Sequence, residues 1–390
     1  MKRKVCVVSG SRADYGLLRL VMQKIKENPD LELQLIVTGM HLSETFGFTV
    51  NEIESDGFVI NRRIECLSAS DDSISIAEAT SKSLAGCSRA FTELSPDLVL
   101  VLGDRFEILA AAVAALFARI PVAHIHGGEL TLGSYDESMR HAITKMSHIH
   151  FVANDVYRKR VAQLGEMPKN IYLVGGLGVD SIKAIKLLER KELEETLGLK
   201  FKQKSLLITF HPSTLEDDTP THQMLELLSA LSGRNDTTMI FTLPNSDTGG
   251  LVLIKLIEDF VQANTNCYAF KSLGQLLYLS CMAQVDGVVG NSSSGITEAP
   301  VLQKGTINIG MRQFGRVQST NVINCLANRT EIERAILKLY SSDFREIVRK
   351  CESPHGKGGA SERIVEILCE INLKGLIRKT FYDLDSSSQV

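Results

Sequence analysis

Short apolar runs alternate with amphipathic stretches along the chain. Runs rich in β-branched and aliphatic residues stand at Lys4–Ser9, Leu33–Thr38, Leu98–Leu102, Val122–His126, His150–Ala153 and Ile171–Val174. Stretches with helical spacing lie between them, near residues 17–27, 74–95, 105–118, 138–147 and 155–164. A strand that is apolar at successive positions is buried on both faces, and strand–helix alternation supplies the helices that bury it. The pattern then restarts. Strands are predicted at Ser205–Phe210, Thr238–Leu243, Cys267–Phe270, Val285–Val289 and Thr306–Ile309, with helices near 219–232, 251–264, 274–283, 330–340 and 343–351. The prediction is an α/β protein of two doubly wound parallel-sheet domains. The joint falls near residues 175–200, where Gly175-Gly176-Leu177-Gly178 closes the first series and a charged helix, Lys183–Thr196, follows. The expected division is 1–178, 179–365, and a C-terminal helix and tail, 366–390, crossing back to the first domain. An amphipathic helix is expected over 360–373, and the polar end Asp385–Val390 is expected to fray. Sheets of this kind bind ligands outside the carboxyl ends of their strands. Two such sheets facing each other would place a ligand in the cleft between domains.

No apolar run reaches the roughly 18 residues of a membrane helix. The longest, Ile108 to Ile120, is Ala-rich and interrupted by Arg119, so it reads as a buried helix. Val5–Val8 is too short for a signal-peptide core. The expected location is cytoplasmic. The length of 390 residues suits two or three domains. The net charge of −3 leaves no basic field for nucleic acid, and Lys2-Arg3-Lys4 reads as a solvated strand edge. Eight scattered cysteines without zinc or redox spacing read as reduced, mostly buried residues.

Five segments could carry chemistry. Ser9-Gly10-Ser11-Arg12-Ala13-Asp14-Tyr15-Gly16 lies between a strand and a helix. Its N–H groups, the helix dipole and Arg12 could bind an anion, although an ordinary tight turn would look the same. It is neither a Walker A loop nor GxGxxG. Asp104, in Leu102-Gly103-Asp104-Arg105, ends an apolar strand, either as a carboxylate facing the expected cleft or as a helix cap. His124-Ile125-His126-Gly127-Gly128-Glu129, followed by Gly133 to His141, is the densest segment. Glu129 and Asp136 are candidate acid–base groups, and Asp136 and Arg140 stand four apart on one helical face. The bland readings are a cap at Asp136 with a surface ion pair, or metal binding by His124 and His126, for which no third ligand is spaced. His211, in Phe210-His211-Pro212, ends a strand and is either structural or functional. Gly290-Asn291-Ser292-Ser293-Ser294-Gly295-Ile296-Thr297-Glu298 follows another strand and could cradle a diphosphate, with Glu298 taking a ribose diol; an N-cap is the alternative. Asn245, Asp247 and Arg312 end neighbouring strands. Two anion loops with acids between them suggest a nucleoside-diphosphate sugar as ligand.

Taken in order, Gly-Ser-Arg-Ala-Asp-Tyr-Gly, Val-Thr-Gly-Met-His (37–41), Gly-Asp-Arg (103–105), Gly-Gly-Glu with Asp-Glu-Ser-Met-Arg-His-Ala-Ile-Thr-Lys (136–145), Phe-His-Pro and Gly-Asn-Ser-Ser resemble the hydrolysing UDP-N-acetylglucosamine 2-epimerases. The resemblance covers residues 1 to about 370. It implies a GT-B-like fold of two Rossmann-type domains and a homo-oligomer, dimer or tetramer. It implies elimination of UDP to a glycal, then hydration to N-acetylmannosamine for sialic-acid synthesis, with no cofactor or metal. By position Asp104 and Asp136 match catalytic acids, and Glu129 and His211 join them as candidates. Arg12 and His211 match groups near the diphosphate, and Ser292, Ser293, Glu298 and Arg312 match the UDP pocket. Ser11, His126, Arg140 and Asn245 are further candidate substrate contacts. The family commonly has Glu-Gly-Gly-Glu where this chain has His126-Gly-Gly-Glu129, so either Glu129 or His126 takes the first glutamate's role. That departure bears on substrate identity. A related branch acts on UDP-N,N′-diacetylbacillosamine. A GT-B glycosyltransferase, a non-hydrolysing epimerase and a UDP-sugar sensor are the competing readings.

Overall fold

The computed structural model describes residues 2–68, 70, 72–131, 134–212, 218–244 and 249–384. The chain divides into two compact units. The first comprises Met1–Glu129, Asp136–Ser181 and His355–Val390; the second comprises Leu130–Tyr135 and Ile182–Pro354.

The first unit holds a sheet of seven parallel strands: β1 (Arg3–Ser9), β2 (Leu31–Thr38), β3 (Arg62–Ile64), β4 (Leu98–Leu102), β5 (Val122–Ile125), β6 (Ile149–Val152) and β7 (Ile171–Leu173). Their order is β3-β2-β1-β4-β5-β6-β7. Val5 and Val7 of β1 enter one apolar core with Leu98 and Leu100 of β4, whereas Cys6 and Val8 enter another with Val99 and Val101. Successive strand residues point to opposite faces, so two cores on one sheet require the unbroken apolar strands of the sequence. The order reverses between β1 and β4, and the crevice outside their carboxyl ends is where doubly wound sheets bind ligands.

The second unit repeats this design with β8 (Lys204–Thr209), β9 (Thr237–Thr242), β10 (Cys267–Phe270), β11 (Gly287–Gly290), β12 (Gly305–Ile309) and β13 (Val322–Cys325), ordered β10-β9-β8-β11-β12-β13. Leu206 and Ile208 face one core and Leu207 the other. Here the reversal lies between β8 and β11. Both sheets are Rossmann-like and parallel, as the alternation predicts.

Strands β3 and β13 are additions to the sequence expectation, and three further features differ from it. The first helix begins at Arg12 rather than near residue 17, because Ser11 caps it. The predicted helix Lys183–Thr196 is two helices, Leu177–Ala184 and Arg190–Leu197. Leu188 N–H donates to Ser280 Oγ at 2.9 Å, and Glu189 starts the second helix through a reciprocal capping box with Glu192. The return to the first unit begins at His355 rather than residue 366. Gly176 N–H donates to His355 O at 2.9 Å, and the Asp180 carboxylate accepts Gly359 N–H and Ser361 N–H at 2.6 Å each, fixing the start of helix Ala360–Glu370. All eight cysteines are unpaired. No helix among the described residues is long and apolar enough to cross a membrane.

Candidate active site

In the first unit, β1 ends at Ser9 and the next helix starts at Arg12, so Gly10 and Ser11 make the whole connection. The Ser11 hydroxyl caps the helix by accepting Asp14 N–H at 3.3 Å. Arg12 is the first helical residue, at the positive end of a 16-residue helix. Beneath this turn lies a buried polar network. Asp14 accepts Gly10 N–H at 3.3 Å, and Arg105 Nε lies 3.2 Å from Glu107 Oε2. Burial pushes the Asp14 carboxyl up to about 7, with Arg105 pulling it down and Glu107 pushing it further up. His41 bonds Ser9 Oγ at 2.8 Å and Thr49 Oγ1 at 2.7 Å, and burial beside Arg105 lowers it to about 3, so it stays neutral. Gly39, at φ +60°, lets the next segment approach; a Cβ there would fall on Glu107 and within 2.7 Å of Gly10 O.

Asp104 follows β4, next to β1. The N-cap of the following helix is Arg105, whose side chain makes no cap bond. The Asp104 carboxylate instead pairs with the guanidinium of Arg140, which is 2% exposed. Arg140 Nη1 also donates to His126 O at 2.9 Å. Burial alone would lower the pKa of Arg140, but Asp104, Glu129, Glu137 and Asp136 outweigh it and hold the group above its ordinary range. One buried cation thus gathers the carboxylates that the sequence picked out separately.

The loop after β5 is set by its backbone. His126 has φ +67°, and its Nδ1 lies 3.7 Å from Glu129 Oε1. Gly128, at φ +78°, packs so closely on the helix Asp155–Gln163 that a Cβ would lie 2.6 Å from Tyr157 O, and Arg160 donates to its carbonyl. Glu129 is buried and Asp136 opens the helix Asp136–Met146. His124 does not stand ready for a ligand. Its Nε2 bonds Gly103 O at 2.7 Å and its Nδ1 bonds Thr144 Oγ1 at 3.1 Å, and burial lowers it to about 3. Among the described residues, no group of three or more His, Cys, Asp and Glu is arranged to hold a metal.

In the second unit, His211 lies just beyond β8 and Ser292 and Ser293 just beyond β11, at the reversal of strand order. Ser292 Oγ lies 3.1 Å from Ser294 Oγ, which Tyr278 OH also contacts. Glu298 follows the short helix Ser294–Thr297 and accepts from Thr297 Oγ1. Arg312 Nη1 reaches Asn291 O at 3.3 Å. Asn245 and Asp247 lie outside the described residues. Asp14, His41 and Glu107 were not foreseen as polar supports, although Asp14 and His41 stand inside the quoted motifs.

The UDP-N-acetylglucosamine 2-epimerase family model matches residues 23–369. The GDP/UDP-N,N′-diacetylbacillosamine 2-epimerase (hydrolyzing) of Campylobacter jejuni is 40% identical over 385 residues, covering 98% of this chain and 100% of its own. A polysialic acid biosynthesis protein of Escherichia coli is 37% identical over 387 residues, covering 98% of each chain. The crystal structure of UDP-GlcNAc 2-epimerase from Neisseria meningitidis bound to UDP-GlcNAc matches with a TM-score of 0.80 at 18% identity, over 94% of this chain and 100% of that one, a likeness of fold. The strand orders, the loops at both reversals and these relatives agree: the chain belongs to the UDP-N-acetylglucosamine 2-epimerase family.

Proposed function

We propose that the protein is a hydrolysing 2-epimerase of a UDP-2-acetamido sugar. The observation that carries this reading is the cluster of Asp104, Glu129 and Asp136 around buried Arg140, at the carboxyl ends of β4 and β5. A carboxylate takes the C2 proton, the C1–oxygen bond breaks, and UDP leaves with the electron pair. A 2-acetamidoglycal remains. Water then adds: a proton returns to C2 from the opposite face and hydroxide bonds to C1, giving the free manno sugar. Arg12, His211, Ser292 and Ser293 stabilise the leaving diphosphate; Glu298 and Arg312 hold the nucleoside half, and Asn245 and Ser11 support binding. Glu129 with His126 takes the place of the family's two glutamates. None of these steps calls for a cofactor or a metal.

The favoured substrate is UDP-N,N′-diacetylbacillosamine, which is in the name of the 40% identical relative. UDP-N-acetylglucosamine, giving N-acetylmannosamine for sialic-acid synthesis, is the second reading, favoured by the relative named for polysialic acid. A cytoplasmic homo-oligomer goes with either. The test is UDP release from each sugar, supplied separately to purified protein. Release from one or both supports the reading, and the higher kcat/KM names the substrate. No release from either, or transfer of sugar to an acceptor, would overturn it.

A further inference from the structure

In the site described so far Asn291 is only a member of the loop after β11 and the carbonyl that Arg312 reaches. It is 1% exposed, directly after β11. Its side-chain oxygen accepts His211 N–H at 2.7 Å, and its side-chain nitrogen donates to His211 O at 2.8 Å. Its backbone N–H donates to Thr209 O at 3.2 Å. Its backbone carbonyl accepts from Gln313 Nε2 at 2.8 Å and from Arg312 Nη1 at 3.3 Å. One buried residue thereby ties together the ends of β8 and β11 and the segment after β12. The preceding residue makes this approach feasible. Gly290 has φ +133°, and a Cβ there would fall on Thr209 O.

We propose that Asn291 is a positioning residue, which holds the backbone of His211 where a bound diphosphate needs it and the guanidinium of Arg312 where the nucleoside half needs it. A carboxamide offers a donor and an acceptor in one plane, so it can engage both main-chain groups of His211 at once. These groups lie just past the strand, where the sheet no longer pairs them, and burial makes leaving them unpaired costly. The buried Gln313 joins in by fixing the carbonyl that Arg312 also reaches. The diphosphate part of the proposal rests on the functional reading above; the hold on His211 does not.

The test uses the full chain with Asn291→Ala and Asn291→Asp, each alone and in a His211→Ala background. Asn291→Asp keeps the acceptor for His211 N–H but removes the donor to His211 O, so it covers the case in which the alanine variant fails to fold. Without ligand, amide hydrogen exchange at His211 is expected to quicken at least about tenfold in Asn291→Ala, since a buried hydrogen bond is lost. UDP affinity, measured by calorimetry, is expected to fall about tenfold, and turnover on the sugar by up to about a hundredfold, as groups shift by about an ångström. Asn291→Asp should fall between wild type and alanine. In the His211→Ala background the loss of UDP affinity from Asn291→Ala should shrink, because neighbours in one network do not add. Unchanged exchange at His211 would overturn the hold on the histidine, and fully additive losses of UDP affinity would overturn the positioning role. Failure of the wild type to bind UDP would instead remove the functional reading and the diphosphate role with it, while the exchange result still decides whether Asn291 fixes His211.

Discussion

Arg140 shows how one buried residue can define a site. A guanidinium at 2% exposure needs anionic partners, and Asp104, Glu129, Glu137 and Asp136 supply the field. Paired with Arg140, Asp104 is free of the capping role that its position also allows. Asp104→Asn is therefore expected to lower turnover by about 10²-fold or more with UDP affinity nearly intact, the pattern of a group acting in the chemical step. Equal loss of UDP binding would count against it. Asp14 makes a different prediction. Its carboxyl titrates near 7 in the folded protein against an ordinary value of 3.8. Between these values the folded chain binds more protons than the unfolded one, so stability falls as pH rises through that window. The slope is about 1.4 kcal/mol per pH unit, on the order of 4 kcal/mol in all. Urea unfolding of Asp14→Asn from pH 4 to pH 7 should show that decline removed; an unaltered pH slope would refute the burial account. Asp104, Asp136 and Arg140 were legible in the sequence because they sit at a strand end and four apart on a helix. The supporting role of Asp14 was not, since its environment comes from Arg105 and Glu107, far along the chain.

At the scale of elements, apolar strands were easy to read, edge strands β7 and β10 included, and the two polar edge strands were not. Among the described residues, eleven of the thirteen strands announce themselves as apolar runs, whereas β3, Arg62-Arg63-Ile64, has two charged residues of its three and β13 is short and part exposed. Both lie at sheet edges, where one side needs no partner strand. The split of Lys183–Thr196 was hidden for a similar reason, because Ser280, which receives Leu188 N–H, is distant in sequence. The close pairing of β8 and β11 at Gly290 makes a sharp prediction. Gly290→Ala adds a Cβ onto Thr209 O at φ +133°. Backbone strain of this kind costs about 1–3 kcal/mol before the clash is counted. A fall in thermal midpoint together with weaker UDP binding is expected, measured by scanning calorimetry and titration. A variant with wild-type midpoint and affinity would show that the two strand ends do not need this approach.

For the whole molecule, the sequence pattern reads out two Rossmann-like units because strand–helix alternation restarts once, and the described candidate residues of each unit follow strands at, or next to, its own reversal of strand order. The place where the chain returns to the first unit was less legible, since it depends on Asp180 reaching the amides of Gly359 and Ser361. The most direct measurement follows the sugar by NMR in D2O with the faster of the two UDP-sugars. Elimination and hydration predict free UDP together with a manno-configured free sugar carrying one deuterium at C2. A manno sugar with its original C2 proton, or a product still joined to UDP, would contradict the proposed reaction.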